Sequence, residues 1–97
     1  MVKETVVYIM ANKKYGTLYR GVTSFLVQRV CQHKESTFKG FAEKYGCKNL
    51  VFYELHESMV SAIAREKQIK AGSRKSKMDL IESINPKWQE LYEDIAF

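Results

Sequence analysis

Hydrophobic positions along the chain fall into two kinds of pattern. Short runs of β-branched and aromatic residues predict strands, and longer stretches with apolar residues three and four apart predict helices. Residues 5–10, Thr-Val-Val-Tyr-Ile-Met, predict a well-buried strand. Asn12, the Lys13-Lys14 pair and Gly16 supply turn chemistry, and residues 17–22 predict a second strand closing a hairpin. A helix follows from near Phe25, with Leu26, Val27, Val30 and Cys31 on its apolar arc and Arg29 and His33 together at the margin. In residues 35–46 the spacing of Phe38, Phe41 and Tyr45 suits a short helix laid on the core. Residues 50–56 predict a third strand. Ser58 is placed to cap a helix over 59–71 that Gly72 closes, and Ser73 to cap another ending at Ile84. Asn85-Pro86 starts a last turn carrying Trp88, Leu91 and Tyr92. This order predicts an α+β fold: a small three-stranded antiparallel sheet flanked by helices, one domain over residues 1–97.

The chain is long enough to bury roughly two-thirds of its unfolded surface, and 45% hydrophobic residues suffice for a core. No apolar run is long enough to span a membrane, and the N-terminus has no signal-peptide pattern. Two cysteines, Cys31 and Cys47, make no disulfide framework and suit a reducing, cytoplasmic compartment. Their spacing to His33 and His56 lacks the close pairs of a zinc site. Sixteen Lys and Arg against eleven Asp and Glu leave a net charge of +5. That balance permits a polyanion partner and equally a solubilising surface. Position is more telling: Arg65, Lys67, Lys70, Arg74, Lys75 and Lys77 crowd one short tract with a single acid, Glu66. It reads as a phosphate track or a solvated face.

Three groups of residues carry candidate chemistry. Met59, Ala62, Ile63 and Ile69 define one face of their predicted helix, and Glu66 falls inside it. A lone carboxylate on a buried face is costly unless it is paired, hydrogen-bonded or bound to a cation. A tyrosine or arginine neighbour would satisfy it, and so would a metal. Arg29 and His33 sit one turn apart, where a guanidinium can grip a phosphate by two hydrogen bonds. Imidazole, with an ordinary pKa near 6.5, can take a proton at neutral pH. Asn85 before Pro86 is a good N-cap and N1 pair, which by itself accounts for both residues.

Val7-Tyr8-Ile9 and Tyr19-Arg20-Gly21, followed by Arg29 and His33, resemble the GIY-YIG nuclease superfamily. The likeness to its small stand-alone bacterial group continues through Arg65-Glu66-Lys67-Gln68-Ile69-Lys70 to Asn85-Pro86-Lys87-Trp88. The resemblance implies that Tyr8 and Tyr19 direct their hydroxyls into a shared site, and that Glu66 holds one Mg²⁺ or Mn²⁺. It also implies that Arg29 stabilises charge on the phosphate and that Asn85 braces the site. The general base stays open among His33, Tyr8 and Tyr19, with His33 the least demanding. The expected function is a metal-dependent endonuclease hydrolysing phosphodiester bonds of nucleic acid, DNA ahead of RNA, with no membrane and no obligate protein partner. One alternative is a non-catalytic nucleic-acid-binding module that keeps the fold; another is a protein-interaction domain whose charge is solubilising. Three positions depart from the pattern: Val22 where some relatives have lysine, Ala42 where the group has threonine, and Arg20 where the tripeptide has isoleucine. Facing inward, Arg20 must pair with an acid; facing outward, it adds surface charge.

Overall fold

The N-terminal apolar run is the central strand, β1 (Thr5–Ala11), covered on both faces, which accounts for its unbroken hydrophobicity. A computed structural model describes residues 5–35 and 45–96. β2 (Leu18–Thr23) and β3 (Asn49–His56) flank β1, both antiparallel to it, in the order β2-β1-β3. The helices are α1 (Leu26–Lys34), α2 (Met59–Ala71), α3 (Arg74–Ile84) and α4 (Tyr92–Ala96). The architecture is the expected α+β one. The short helix expected over 35–46, with Phe38, Phe41 and Ala42, lies outside the described residues except at its two ends.

Alternation along β1 splits the core in two. Val7, Ile9 and Ala11 pack with Val51, Phe52, Ala62, Ile69, Ile81 and Trp88 beneath α2 and α3. Tyr8 and Met10 pack with Val30, Cys47 and Leu50 on the α1 and α4 side. Each buried aliphatic side chain contributes about 1.5–3 kcal/mol against leaving it in water. The hairpin register pairs Tyr8 with Gly21, Ile9 with Arg20 and Met10 with Tyr19. Tyr8 and Tyr19 therefore share the α1 face, and Arg20 lies on the α2 face.

The local signals place the helix ends. Ser58 Oγ accepts from the Ser61 amide at 3.1 Å, and Ser73 Oγ from the Ser76 amide at 3.0 Å. Such caps are worth about 1 kcal/mol each. The hairpin loop is fastened by Asn12 Oδ1, which accepts from the Thr17 amide at 2.8 Å. At the other edge of the sheet, the Leu91 amide donates to the Leu50 carbonyl (2.8 Å) and the Leu50 amide donates to Glu90 Oε2 (2.6 Å). This blunts an edge that would otherwise invite strand pairing.

Three expectations need correction. The arc of α2 is narrower than its spacing suggested: Ala62 and Ile69 are buried, whereas Met59 and Ile63 are exposed. One face of α2 meets the sheet, and side chains one turn-edge away reach solvent. His33, expected at a helix edge within reach of the sheet's tyrosines, does meet them but is more buried than an edge position implies, at 5% exposed. Asn85 is not the N-cap of a final helix; it is the C-cap of α3, and α4 starts seven residues later.

Candidate active site

Gly21 decides how the site is built. A Cβ there would stand 2.6 Å from the Tyr8 hydroxyl oxygen and 2.8 Å and 3.0 Å from two ring carbons. The missing side chain lets the Tyr8 ring lie across β2, so its hydroxyl reaches towards α1. There it meets His33 Nε2 at 3.1 Å. The Tyr19 ring, two residues from Gly21, packs tilted against the same imidazole at a centroid distance of 5.1 Å. Tyr8, Tyr19 and His33 are thus one cluster, with Tyr8 and His33 buried and Tyr19 partly exposed. Arg29, partly exposed one turn before His33, acts electrostatically on both.

Burial sets the protonation states. It pushes the Tyr8 hydroxyl well above the ordinary tyrosine range, and neighbouring Tyr19 adds to the effect while Arg29 offsets part of it. Burial, reinforced by the Arg29 charge, holds His33 below the ordinary imidazole pKa. At neutral pH the pair is therefore a protonated phenol against a neutral imidazole. The imidazole is the partner able to receive a proton.

Glu66 lies on the other side of the sheet. With Ala62 and Ile69 it occupies the packed face of α2, as its spacing suggested, and it meets Arg20. Arg20 Nε donates to Glu66 Oε2 at 2.9 Å, with the side chains 29% and 22% exposed. Arg20 thus faces inward and pairs with an acid. Mg²⁺ is commonly held by one or two carboxylates, with waters and substrate oxygens completing its shell. Glu66 fits that donor chemistry through Oε1, which carries no protein hydrogen bond among the described residues, while Arg20 holds the other oxygen. No cluster of three or more His, Cys, Asp and Glu side chains suited to a metal occurs among the described residues.

Asn85 is buried, with its side-chain amide turned to backbone groups. Its Nδ2 donates to the carbonyls of Val51 (3.0 Å) and Gln89 (2.8 Å), and its Oδ1 accepts from the Gln89 amide (2.9 Å). The amide ties the C-terminal segment to β3, and these backbone bonds account for its burial. The basic tract is also uneven. Arg65 spends its guanidinium on Glu54 and Gln68, and Lys75 pairs with Asp79. Arg74 donates to the Tyr15 and Gly16 carbonyls, and Lys77 to those of Gly72 and Lys70. Lys67 and Lys70 are exposed. Sequence reasoning missed the role of Glu54, whose carboxylate takes both Arg65 and His56 (2.7 Å). Burial raises its pKa, but these hydrogen bonds outweigh burial and hold it below the usual carboxylate value. Cys31 Sγ contacts the Tyr92 hydroxyl at 2.9 Å, and Cys47 is buried.

The GIY-YIG catalytic domain family matches residues 4–79. The chain belongs to the GIY-YIG family. Membership carries nuclease-type cleavage of nucleic acid, and the matched span includes Tyr8, Tyr19, Arg29, His33 and Glu66 but stops short of Asn85. No curated protein gives a significant match. Among solved structures, the UPF0213 protein BH0048 from Bacillus halodurans, determined by solution NMR, is similar in fold. Its TM-score is 0.56 at 24% identity, over 90% of this chain and 92% of that one. No helix among the described residues is long and apolar enough to cross a membrane.

Proposed function

We propose that this GIY-YIG domain is an endonuclease whose cleavage centre is the Tyr8–Tyr19–Arg29–His33 cluster, acting on DNA ahead of RNA in the cytoplasm. The observation that carries the reading is the hydrogen bond between Tyr8 and His33, made inside the core beside Tyr19. A buried phenol and imidazole facing each other across a glycine serve proton transfer better than packing alone requires. The free thiols of Cys31 and Cys47 suit a reducing compartment.

In this mechanism Arg29 grips the scissile phosphate and stabilises the charge that builds on it as water attacks. His33 carries its proton on Nδ1, and its neutral Nε2 is the final acceptor. Tyr8 stays protonated and works as a relay: its oxygen receives the proton that the attacking water loses as the hydroxyl passes its own to Nε2, while the P–O bond to the leaving strand breaks and the leaving oxygen takes a proton from bulk water. The partly exposed Tyr19 orients the attacking water. Across the sheet, Glu66 would hold a divalent cation such as Mg²⁺ or Mn²⁺ through Oε1, and the cation would supply Lewis-acid chemistry to phosphate oxygens on that side of the sheet when bound.

The Arg20–Glu66 ion pair favours a second reading, a nucleic-acid-binding module that keeps the fold without cleavage, because the family's metal carboxylate already has a cationic partner. A screen of branched, flapped and single-stranded DNA and RNA, with and without Mg²⁺, separates the two. Cleavage lost in His33→Ala and Glu66→Gln supports the nuclease. Tight binding with no cleavage of any substrate supports the module.

A further inference from the structure

A second basic site lies on the opposite face of the sheet from Tyr8 and His33. There β2 and the corner between α2 and α3 enclose a pocket of about 250 Å³. Its apolar floor is Ile9, Leu18 and Ile69, and its polar lining is Thr17, Arg20, Arg74 and Lys77. We propose that this pocket is an anion site for a phosphate group borne by a nucleotide unit. It rests on the nuclease reading only for the origin of the phosphate.

Charge is the first argument. Three cations line the pocket, and among the described residues the one acid paired with any of them is Glu66, which is bonded to Arg20. Arg74 and Lys77 are bonded to backbone carbonyls, which aim their side chains without cancelling their charge. Like charges held together in a partly enclosed site cost energy that a bound anion returns. Arg20 spends only Nε on Glu66, so both of its Nη groups remain without a protein acceptor among the described residues. Those groups form the planar pair that suits a phosphate's oxygens. The Thr17 hydroxyl likewise has no protein partner among the described residues, so it adds a neutral donor.

Shape is the second. The volume is below that of a pocket for a drug-sized ligand, yet it exceeds what a few waters fill. A phosphate would sit among the cations, and the apolar floor would take the sugar attached to it. Because Arg20 borders both Glu66 and the pocket, a phosphate bound here lies beside the family's metal carboxylate, across the sheet from the Tyr8–His33 pair. A strand held at both places must pass around the β2 edge.

The test needs no turnover. The isotope-labelled protein is titrated with inorganic phosphate, then with an oligonucleotide with or without a 5′-phosphate, reading backbone amides and arginine Nε signals by NMR. We expect saturable shifts centred on Thr17, Arg20, Arg74 and Lys77, and about tenfold weaker binding in each of Arg74→Gln and Lys77→Gln. A gain from the 5′-phosphate assigns the site to a strand end; equal binding of both oligonucleotides, tighter than phosphate alone, assigns it to a backbone phosphate. Inorganic phosphate binding with no gain from either oligonucleotide overturns the nucleic-acid source. Shifts scattered over Lys67, Lys70 and Lys75 without saturation, or affinities unmoved by both variants, overturn the site itself. Failure to cleave any substrate removes the nuclease reading and leaves this binding result intact.

Discussion

Replacing Gly21 by alanine tests the central geometry with one methyl group. The new Cβ would stand 2.6 and 2.8 Å from the Tyr8 hydroxyl oxygen and the ring carbon that bears it, closer than unbonded atoms come, and a tight 3.0 Å from a second ring carbon. Tyr8 is 1% exposed and enclosed by the α1-side core, so its ring cannot swing into solvent. Either the ring shifts into its neighbours or β2 moves off β1. Overpacking of this kind costs about 1–3 kcal/mol, and losing the bond to His33 adds roughly 1 kcal/mol. A total near 3 kcal/mol in a domain of this size lowers Tm by roughly 12–24 °C. Urea and thermal unfolding measure the stability change, and ¹⁵N NMR of the His33 ring reads whether Nε2 still has its partner. Cleavage should fall in parallel, because the relay needs the hydroxyl in place. Adding Tyr8→Phe removes the atom nearest the methyl, so the double variant should regain part of the stability and none of the activity. A Gly21→Ala protein as stable as wild type, with an unchanged His33 ring signal, would refute the placement of Tyr8 across β2.

The remaining predictions concern charge. The cleavage rate should rise with pH and level off above an inflection below 6.5, since His33 is held under its ordinary pKa. His33→Ala should lose that inflection and about 10²–10⁴-fold in kcat; a retained inflection hands the role to the tyrosines. The same shift makes folding pH-dependent. Below about 6.5 the unfolded chain binds a proton that folded His33 refuses, so stability falls with pH down to the folded pKa, and His33→Gln should flatten that dependence in urea titrations. Arg20→Ile should tighten Mg²⁺ binding followed by NMR, and Glu66→Gln should remove it; equal Mg²⁺ affinity in wild type and Arg20→Ile would show that the ion pair does not oppose the metal. Reversing charge at Lys70 and Lys75 should flatten the salt dependence of duplex binding by about 0.9 log–log units per lost contact, and an unchanged slope would make this tract a solvated face.

What the sequence determined by itself is local and periodic. The strand runs, the Asn12 and Gly16 turn, the Ser58 and Ser73 caps and the place of Glu66 on the packed side of its helix all follow from neighbours a few residues apart. Such signals survive folding because turn and cap chemistry acts within one turn of chain, and alternation assigns each side chain to a face. The tyrosine, glycine, arginine and histidine spacing was legible for the same reason, since a hairpin and the next helix are consecutive. Tertiary structure alone decided which distant groups meet. Arg20 finds Glu66 forty-six positions away, Asn85 reaches Val51 across thirty-four, and Arg65 turns to Glu54 on β3 instead of standing open to a phosphate. Each choice depends on how two elements pack, and neither partner's local pattern encodes it. Burial of His33 is of the same kind: helical spacing put it at a margin within reach of the sheet's tyrosines, but only packing of α1 on the sheet closes that margin to solvent, and desolvation there, with the Arg29 charge, lowers its proton affinity. The pocket of Arg20, Arg74 and Lys77 was invisible for that reason too, because its lining comes from β2 and the α2–α3 corner, which only the folded sheet brings together.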